Sequence, residues 1–214
     1  MKKSLKWQIA QKAELRWWQN YLRRKSPDAY MEWKRSYWLS LISKAGLEDL
    51  LSEPKNILDV GCGPAGIFIV LEKHHIDAVD PLIDHYEQLE HFEKKDYPYC
   101  TFYNLPIEQL NISKVYDVVF CMNAINHVSD LKKTLGILKK YTSPGGTLVI
   151  SIDAHNYTFF KKLFRLIPGD ILHPHQYDLE EYKEMLTQEG FGIFKEILLK
   201  KEFFFDHSLL KAKK

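Results

Sequence analysis

The stretch ILDVGCGPAG, residues 57–66, decides the fold of this 214-residue chain. It indicates an apolar strand that runs directly into a glycine-rich turn. Glycines after a first strand let the backbone turn tightly against a ligand, and the start of the next helix presents free N–H groups. Asp80 follows Gly61 by 19 residues, at the end of a second apolar strand. A carboxylate there can accept hydrogen bonds from both hydroxyls of a ribose, so the pattern predicts a site for an adenosine-containing cofactor.

Strands and helices alternate after Pro54. Five short apolar segments predict parallel strands, at residues 56–60, 76–80, 99–103, 116–122 and 147–152. Helices are predicted between them at residues 67–74, 81–95 and 129–141. A capping box of Asp178 and Glu181 begins a further helix, and two consecutive strands follow it, at residues 191–199 and about 203–210. This order predicts an α/β fold, a doubly wound and mostly parallel sheet with an antiparallel edge.

The composition excludes several classes of protein. With 45% hydrophobic and 27% charged residues the chain is not wholly disordered. No apolar run approaches the ~20 residues of a membrane span and no signal-peptide core is present, so we expect a soluble, cytoplasmic protein. Three cysteines without a CxxC pair encode neither a disulfide framework nor a zinc site. The net charge is +2, but basic residues concentrate at both ends of the chain. We interpret them as residues of solvated helix faces rather than as a binding site for an anionic partner.

Asp59 separates two classes of cofactor. It stands two residues before Gly61, where dinucleotide-binding folds carry apolar residues, and a carboxylate there faces a cation better than a pyrophosphate. The chain resembles the class I S-adenosylmethionine-dependent methyltransferases in five segments taken in order: LDVGCGPAG (58–66), AVDP (78–81), YDVVFCMNAINHV (116–128), SPGGTLVIS (143–151) and QYDLEEYKEMLTQEGF (176–191). The resemblance implies S-adenosyl-L-methionine as cofactor and a Rossmann-like sheet of seven strands, the last of them antiparallel.

The resemblance also implies which residues hold the cofactor: Asp59, Gly61, Gly63, Asp80, Pro81, Ile107, Glu108, Asn123 and Ala124. Asp80 is expected at the ribose, and Asn123 with Ala124 beside the transferable methyl group. Many family members carry an Asp-Ala pair before the fourth strand, which meets the adenine. Here Pro106 and Ile107 occupy those positions, so the Ile107 backbone or Glu108 is expected to replace the missing aspartate.

Residues 1–45 form two predicted helices, divided at Pro27 and closed by Gly46. They contain all five tryptophans: Trp7, Trp17, Trp18, Trp33 and Trp38. We expect residues 1–45 to form a lid over the site. Residues 46–214 are expected to form the class I methyltransferase catalytic domain and to fold without the lid.

Four histidines are candidates for a general base, in the order His155, His175, His173 and His127. Each follows the fourth or fifth strand, and ligands in such folds bind outside the carboxyl ends of the strands. For Asn126 and His127, capping of the next helix is favoured over catalysis, and bonding to backbone carbonyls is the alternative for the HxH segment. No metal is predicted, because HxH in a proline-containing loop is a weak signal.

The acceptor is predicted to be a small or lipid-like molecule, methylated at oxygen or nitrogen. An apolar and basic segment, FFKKLFRLIPGDIL at residues 159–172, is expected to pack over it, with peripheral contact to a membrane surface as the alternative. DNA is not expected, because the segment after the fourth strand, residues 123–126, lacks the two prolines of enzymes that methylate exocyclic amines of bases. RNA is disfavoured, since the N-terminal aromatics fall at core spacing.

Three further classes stay open at this point. One is an RNA or protein methyltransferase that uses the basic N-terminus, and another is a non-catalytic protein that binds an adenosine ligand. A nicotinamide-dependent oxidoreductase is disfavoured by Asp59. The sequence does not decide the oligomeric state.

Overall fold

A computed structural model describes residues 5–155, 177–201 and 205–214. Its centre is one sheet of seven strands: β1 (Asn56–Val60), β2 (His75–Val79), β3 (Cys100–Tyr103), β4 (Tyr116–Cys121), β5 (Thr142–His155), β6 (Gly192–Lys201) and β7 (Phe205–Lys213). The helices are α1 (Leu5–Leu22), α2 (Pro27–Ala45), α3 (Ile83–Tyr86), α4 (Leu131–Tyr141) and α5 (Leu179–Gln188). Among the described helices, none is both long enough and apolar enough to cross a membrane.

The strand order across the sheet is β3-β2-β1-β4-β5-β7-β6. The first five strands pair in parallel, and β7 runs antiparallel to both β5 and β6. Because the chain order reverses between β1 and β4, a crevice opens at the carboxyl ends of these two strands. The predicted α/β sheet with its antiparallel C-terminal strand is confirmed.

Two predicted helices are wrong. Residues 67–74 form only a 3₁₀ turn at Ile67–Val70, because Ile67, Phe68 and Ile69 are all buried and leave no solvent-facing stripe for a helix. Residues 81–95 form the four-residue α3 and a 3₁₀ turn at Lys94–Asp96. Between them His91 turns inward, where its Nε2 atom lies 3.0 Å from the Lys25 carbonyl oxygen.

Helix α2 packs into the main core of the sheet. Its residues Tyr30, Trp38, Leu41, Ile42 and Ala45 are buried in the same hydrophobic cluster as the sheet residues of β1 and β2. Gly46 ends the helix in a left-handed conformation at φ 58°, as predicted. A boundary between residues 45 and 46 therefore divides one continuous core. That residues 46–214 fold without residues 1–45 stays a prediction. The packing of α2 into the core argues against it.

Several predicted features lie outside the described residues. They are His173, His175 and the segment at residues 159–172. For His155 the structure describes the backbone, at the end of β5, but not the side chain. The roles predicted for these residues stay predictions.

Candidate functional site

A cavity of about 620 Å³ lies at the carboxyl ends of β1, β2 and β4, under α1 and α2. This volume is within the range of roughly 300–1,000 Å³ found for cofactor and small-molecule sites. The loops after the strands line its floor with Gly61, Cys62, Gly63, Asp80, Pro81, Pro106, Ile107, Glu108, Met122, Asn123, Ala124 and His127. The two N-terminal helices line its roof with Gln11, Glu14, Trp17, Trp18, Tyr21, Tyr30, Trp33, Lys34, Tyr37 and Trp38.

The loop after β1 requires glycine at defined positions. Gly61 and Gly63 adopt left-handed conformations with φ of 67° and 59°. A Cβ atom added at Gly61 would lie 2.3 Å from the Cβ of Ala124, which follows β4. A Cβ at Gly66 would lie 2.4 Å from the Cys62 carbonyl oxygen. The loop therefore lies in direct contact with the end of β4, and its backbone forms the cavity floor.

Asp80 joins the end of β2 to this loop. Its Oδ2 accepts a hydrogen bond from the Gly63 N–H at 3.0 Å, and its Oδ1 accepts one from the Leu82 N–H at 2.8 Å. Burial raises the pKa of Asp80 to about 6, although both of these bonds lower it. An ionised carboxylate has about four lone-pair sites, and these bonds use two of them. Asp80 lines the cavity and keeps acceptor capacity for a ligand.

Asp59 lies behind the loop and does not line the cavity. The side chain is buried, and its Oδ2 accepts the Phe68 N–H at 3.4 Å. Burial raises the pKa of Asp59 to about 7, and the charge of Asp80 acts in the same direction. Asp59 thus braces the turn that follows the glycines. Direct contact of Asp59 with a cofactor stays a prediction.

Lys34 of α2 is the one Lys or Arg among the residues that line this cavity in the described part of the chain. Its Nζ atom lies 4.6 Å from the ring centroid of Trp38 and 5.0 Å from that of Tyr37. Burial lowers the pKa of Lys34 to about 8, while the nearby charge of Asp59 acts against this shift. Sequence reasoning did not single out Lys34, because a lysine in a basic helix gives no sign that it faces inward.

The remaining residues predicted at the cofactor lie along the floor. Ile107 and Glu108 line the cavity, and the Glu108 Oε1 atom accepts hydrogen bonds from the Ser129 N–H at 2.8 Å and the Ser129 hydroxyl at 2.7 Å. Asn123 adopts φ of 57°, which is rare for a residue with a side chain, and its N–H donates to the Ser151 hydroxyl at 2.8 Å. Pro81 and Ala124 also line the cavity, so eight of the nine predicted residues meet there and Asp59 does not.

The predicted helix cap before α4 is wrong for Asn126. The Nδ2 atom of Asn126 donates to the Asp153 carbonyl oxygen at 3.1 Å, whereas Asp130 caps α4 by accepting the Lys133 N–H at 3.0 Å. Asp130 takes this role because it directly precedes the first turn, where its carboxylate reaches the third N–H. His127 lines the cavity, and its role as a base stays a prediction.

A histidine that sequence reasoning missed also lines the cavity. His207 of β7 lies directly opposite Asp153 of β5, and its Nδ1 atom is 2.6 Å from the Asp153 Oδ1. The two residues are 54 positions apart and meet only through the register of two antiparallel strands. A register of that kind leaves no local signal in the sequence.

The sheet is Rossmann-like, and its cavity combines a glycine loop with a carboxylate, Asp80, at the end of β2. These features define a nucleotide-binding α/β enzyme fold, and a comparison with family models identifies the family. The model of a methyltransferase domain family matches residues 30–196, well over half of the chain. The chain belongs to this family. The resemblance to class I S-adenosylmethionine-dependent methyltransferases is thereby confirmed, and with it S-adenosylmethionine as the methyl donor of the family.

Two curated relatives are similar over part of their length. The ubiquinone biosynthesis O-methyltransferase of Rickettsia akari is 33% identical over 97 residues, which are 44% of this chain and 39% of the relative. That of Rickettsia prowazekii is 32% identical over 118 residues, 54% of this chain and 46% of the relative. The chain therefore spans less than half the length of these relatives.

A solved structure supports the fold. The N-methyltransferase NodS from Bradyrhizobium japonicum, in complex with S-adenosyl-L-homocysteine, superimposes with a TM-score of 0.64 and covers 98% of both chains. Its sequence identity to this chain is 15%, so the likeness concerns the fold alone.

Proposed function

We propose that this chain holds S-adenosylmethionine on the cavity floor and transfers its methyl group to an oxygen of a small, flat or lipid-like acceptor. The observation that carries the proposal is one continuous cavity with two kinds of wall. The floor is backbone and carboxylate, from the glycine loop and Asp80, whereas the roof is aromatic. The names of the two Rickettsia relatives favour oxygen as the methylated atom and a lipid-like acceptor.

The residues present fit the cofactor. Asp80 keeps acceptor capacity for the ribose, and Lys34 is a cation without an ion-pair partner among the described residues. The carboxylate of the methionine part needs such a cation, so we assign Lys34 to it. Pro106 and Ile107 offer an apolar edge for the adenine. When bound, the cofactor supplies an electrophilic methyl group.

The chain's own contribution is placement and exclusion of water. The reaction is a displacement, which requires the acceptor oxygen close to the methyl carbon and in line with the bond that breaks. The rings of Trp33, Tyr37 and Trp38 form one side of the cavity, and such faces bind flat apolar molecules. Helix α1 covers the Asp80 side, and Gln11, Glu14 and Trp18 are among its residues that line the cavity. We propose that α1 and α2 together exclude water during the transfer.

Calorimetric titration tests the cofactor assignment. S-adenosylmethionine and S-adenosylhomocysteine are expected to bind, and NAD is not. Gly61→Val is expected to abolish binding of both, because its side chain would overlap Ala124 and its φ is left-handed. Tight binding of NAD alone would overturn the assignment.

Asp80→Ala tests the ribose contact. Loss of two hydrogen bonds to a carboxylate is expected to weaken S-adenosylmethionine binding by about 2–4 kcal/mol. Asp49→Ala is the matched control, because Asp49 is exposed and lies outside the cavity. Equal affinities of the two folded variants would remove Asp80 from the site.

The acceptor is tested with a metabolite extract divided into polar and lipid fractions. We expect one component of the lipid or aromatic fraction to gain the mass of a single methylene when the protein and S-adenosylmethionine are added. A product found only when RNA or protein is supplied would contradict the proposed acceptor class. Cytoplasmic location stays a prediction.

A further inference from the structure

The proposed function gives no role to a histidine that lines the cavity, His207, or to the carboxylate beside it, Asp153. His207 and Asp153 lie opposite each other on β7 and β5, with 2.6 Å between Nδ1 and Oδ1. The His207 side chain is 18% exposed and that of Asp153 is 32% exposed, so both are partly shielded but within reach of a ligand. His207 lines the cavity together with Ser151, which precedes Asp153 by two residues on the same strand.

The carboxylate fixes the protonation pattern of the ring. A neutral imidazole carries one N–H, and a carboxylate at Nδ1 holds the proton there. The other nitrogen, Nε2, is then a hydrogen-bond acceptor and a base. Among the described residues Nε2 has no hydrogen-bond partner. A histidine oriented by a carboxylate in this way is the arrangement that enzymes use for general-base catalysis.

The surroundings place the pair on the acceptor side of the cavity. Burial raises the pKa of Tyr37 of α2, and the charge of Asp153 adds to this, so the Tyr37 side chain lies near the pair. Lys200 of β6 stands opposite His207 on its other flank. The titratable groups near His207 are therefore Asp153 from β5, Tyr37 from α2 and Lys200 from β6. Asp80 lies at the end of a different strand, β2, on the side of the cavity that we assign to the ribose.

We infer that His207 is the general base for the acceptor, and that Asp153 is the residue that positions it. This inference rests on the proposed function and specifies the acceptor as one with an ionisable hydroxyl group on a flat ring. The acceptor O–H bond breaks and its proton moves to Nε2, which gives an imidazolium paired with the Asp153 carboxylate. The electron pair of the oxygen then forms the bond to the methyl carbon. The electron pair of the broken S–C bond stays on sulfur, which becomes a neutral thioether.

A coloured phenol makes the proton transfer visible without turnover. We choose 4-nitrocatechol, whose phenolate absorbs at longer wavelength than the phenol, and protein saturated with S-adenosylhomocysteine. In the unmodified protein the bound probe is expected to ionise at a pH about one unit below that of the free probe, a roughly tenfold change in its ionisation constant. His207→Asn is expected to return the ionisation constant to the value of the free probe. Asp153→Asn is expected to remove most of the shift, because its amide no longer holds the proton at Nδ1.

Turnover of the same probe gives a second measurement. His207→Asn is expected to lower kcat by about 10²–10⁴-fold with little change in KM or in S-adenosylhomocysteine affinity. Asp153→Asn is expected to lower kcat by about 10²-fold or more while the pH profile of kcat changes shape. His85→Asn is the matched control, because His85 is exposed and outside the cavity. Its kcat is expected to equal that of the unmodified protein.

Other outcomes would overturn either the inference about His207 or the proposed function itself. If the unmodified protein binds S-adenosylhomocysteine but neither binds nor ionises the probe, the inference is wrong and the cofactor site stands. An unchanged ionisation shift in His207→Asn, with loss of the shift in His127→Asn, would assign the base to His127 instead. Failure of the unmodified protein to bind S-adenosylhomocysteine would overturn the proposed function itself.

Discussion

Helices α1 and α2 both carry aromatic residues into the cavity, but they are attached to the rest of the molecule in different ways. In α2, the Trp38 Nε1 atom donates to the Ala65 carbonyl oxygen at 2.9 Å, and the Arg35 guanidinium donates to the Ile69 carbonyl oxygen. In α1, Leu22 is the one buried side chain among residues 9–22. The hydrogen bond of Gln11 stays within the helix, on Glu14. Among the residues whose side chains the structure describes, α2 thus bonds to the backbone of the glycine loop and α1 does not.

This difference divides the predicted lid into two parts. Helix α2 is a fixed wall, because it contributes to the core and donates a hydrogen bond to the backbone of the glycine loop. Helix α1 is the part that we propose as a cover, since only Leu22 of its residues 9–22 is buried and its contacts with the rest of the molecule include ring contacts, such as that between Trp18 and Tyr86 at 6.1 Å between ring centroids. Aromatic content alone does not distinguish a wall from a cover, whereas hydrogen bonds to another element's backbone do.

The largest expected effect is on folding. A chain that begins at Gly46 is expected not to fold, because it loses five buried side chains of α2. Each large apolar side chain contributes about 1.5–3 kcal/mol, and a whole domain is stable by only about 5–15 kcal/mol. A chain that begins at Ser26 keeps α2 and is expected to fold. Circular dichroism and urea denaturation of both chains measure this, and a cooperative transition of the shorter chain would show that α2 is an appendage after all.

The second prediction compares one tryptophan from each helix. Trp38→Phe is expected to lower the free energy of unfolding by about 1–3 kcal/mol, because the buried Ala65 carbonyl loses its donor. Trp18→Phe is expected to cost less than half as much, since Trp18 is only partly buried. Urea denaturation of the two variants measures the difference. Equal losses would show that α1 is bound as firmly as α2.

The third prediction concerns cofactor affinity. A chain that begins at Ser26 is expected to bind S-adenosylhomocysteine about tenfold more weakly, because Trp18 and Glu14 no longer cover the Asp80 side. In the full chain, S-adenosylhomocysteine is expected to slow proteolysis within α1 and to change the tryptophan fluorescence. Calorimetry and limited proteolysis test this. The cover role would be lost if cleavage of α1 proceeded at the same rate with and without ligand.

The smallest expected effect is the dependence of α1 on pH. Burial raises the pKa of Glu14 to about 7, and the charge of Asp80 acts in the same direction. A carboxyl whose pKa is raised in the docked state favours docking when protonated, so this contribution is full at low pH and is lost as pH rises through about 7. Proteolysis of α1 is therefore expected to be slower at about pH 5.5 than at about pH 8.5. The rates are compared with those of Glu14→Gln.

Glu14→Gln is expected to remove the pH dependence, because its amide does not titrate. Glu180→Gln is the matched control, since Glu180 is an exposed residue of α5. A pH dependence that persists in Glu14→Gln would assign the effect to another group.

The cavity floor was predictable because its signals are local. Gly61 and Asp80 each stand at the end of an apolar strand, and the alternation of elements places those ends side by side in space. The chemistry of the floor uses mainly backbone groups, for which glycine spacing is a direct sign. Eight of the nine predicted residues line one cavity for this reason.

Two other lining residues of the cavity, Lys34 and His207, were not predictable in the same way. Lys34 and His207 face the cavity because of helix orientation and strand register, and neither leaves a pattern within a short window of sequence. The predicted helix at residues 67–74 fails for a related reason. Its apolar run is buried on every side, so a short run of this kind does not distinguish a helix from a packed turn. Tertiary contacts between distant parts of the chain decide these features, and no local pattern in a single sequence predicts them.

The position of β7 between β5 and β6 has a consequence for how the protein is made. During synthesis β6 emerges before β7, yet β6 pairs with β7 and not with β5. Among the described strands, the edge of β5 that faces away from β4 therefore has no partner until β7 has left the ribosome. An open, apolar strand edge is a site where nascent chains aggregate, so this edge of β5 is the place where we expect aggregation late in synthesis. Strand β7 also carries His207, so the pairing that closes this edge of β5 brings His207 to Asp153 and to the cavity in the same step.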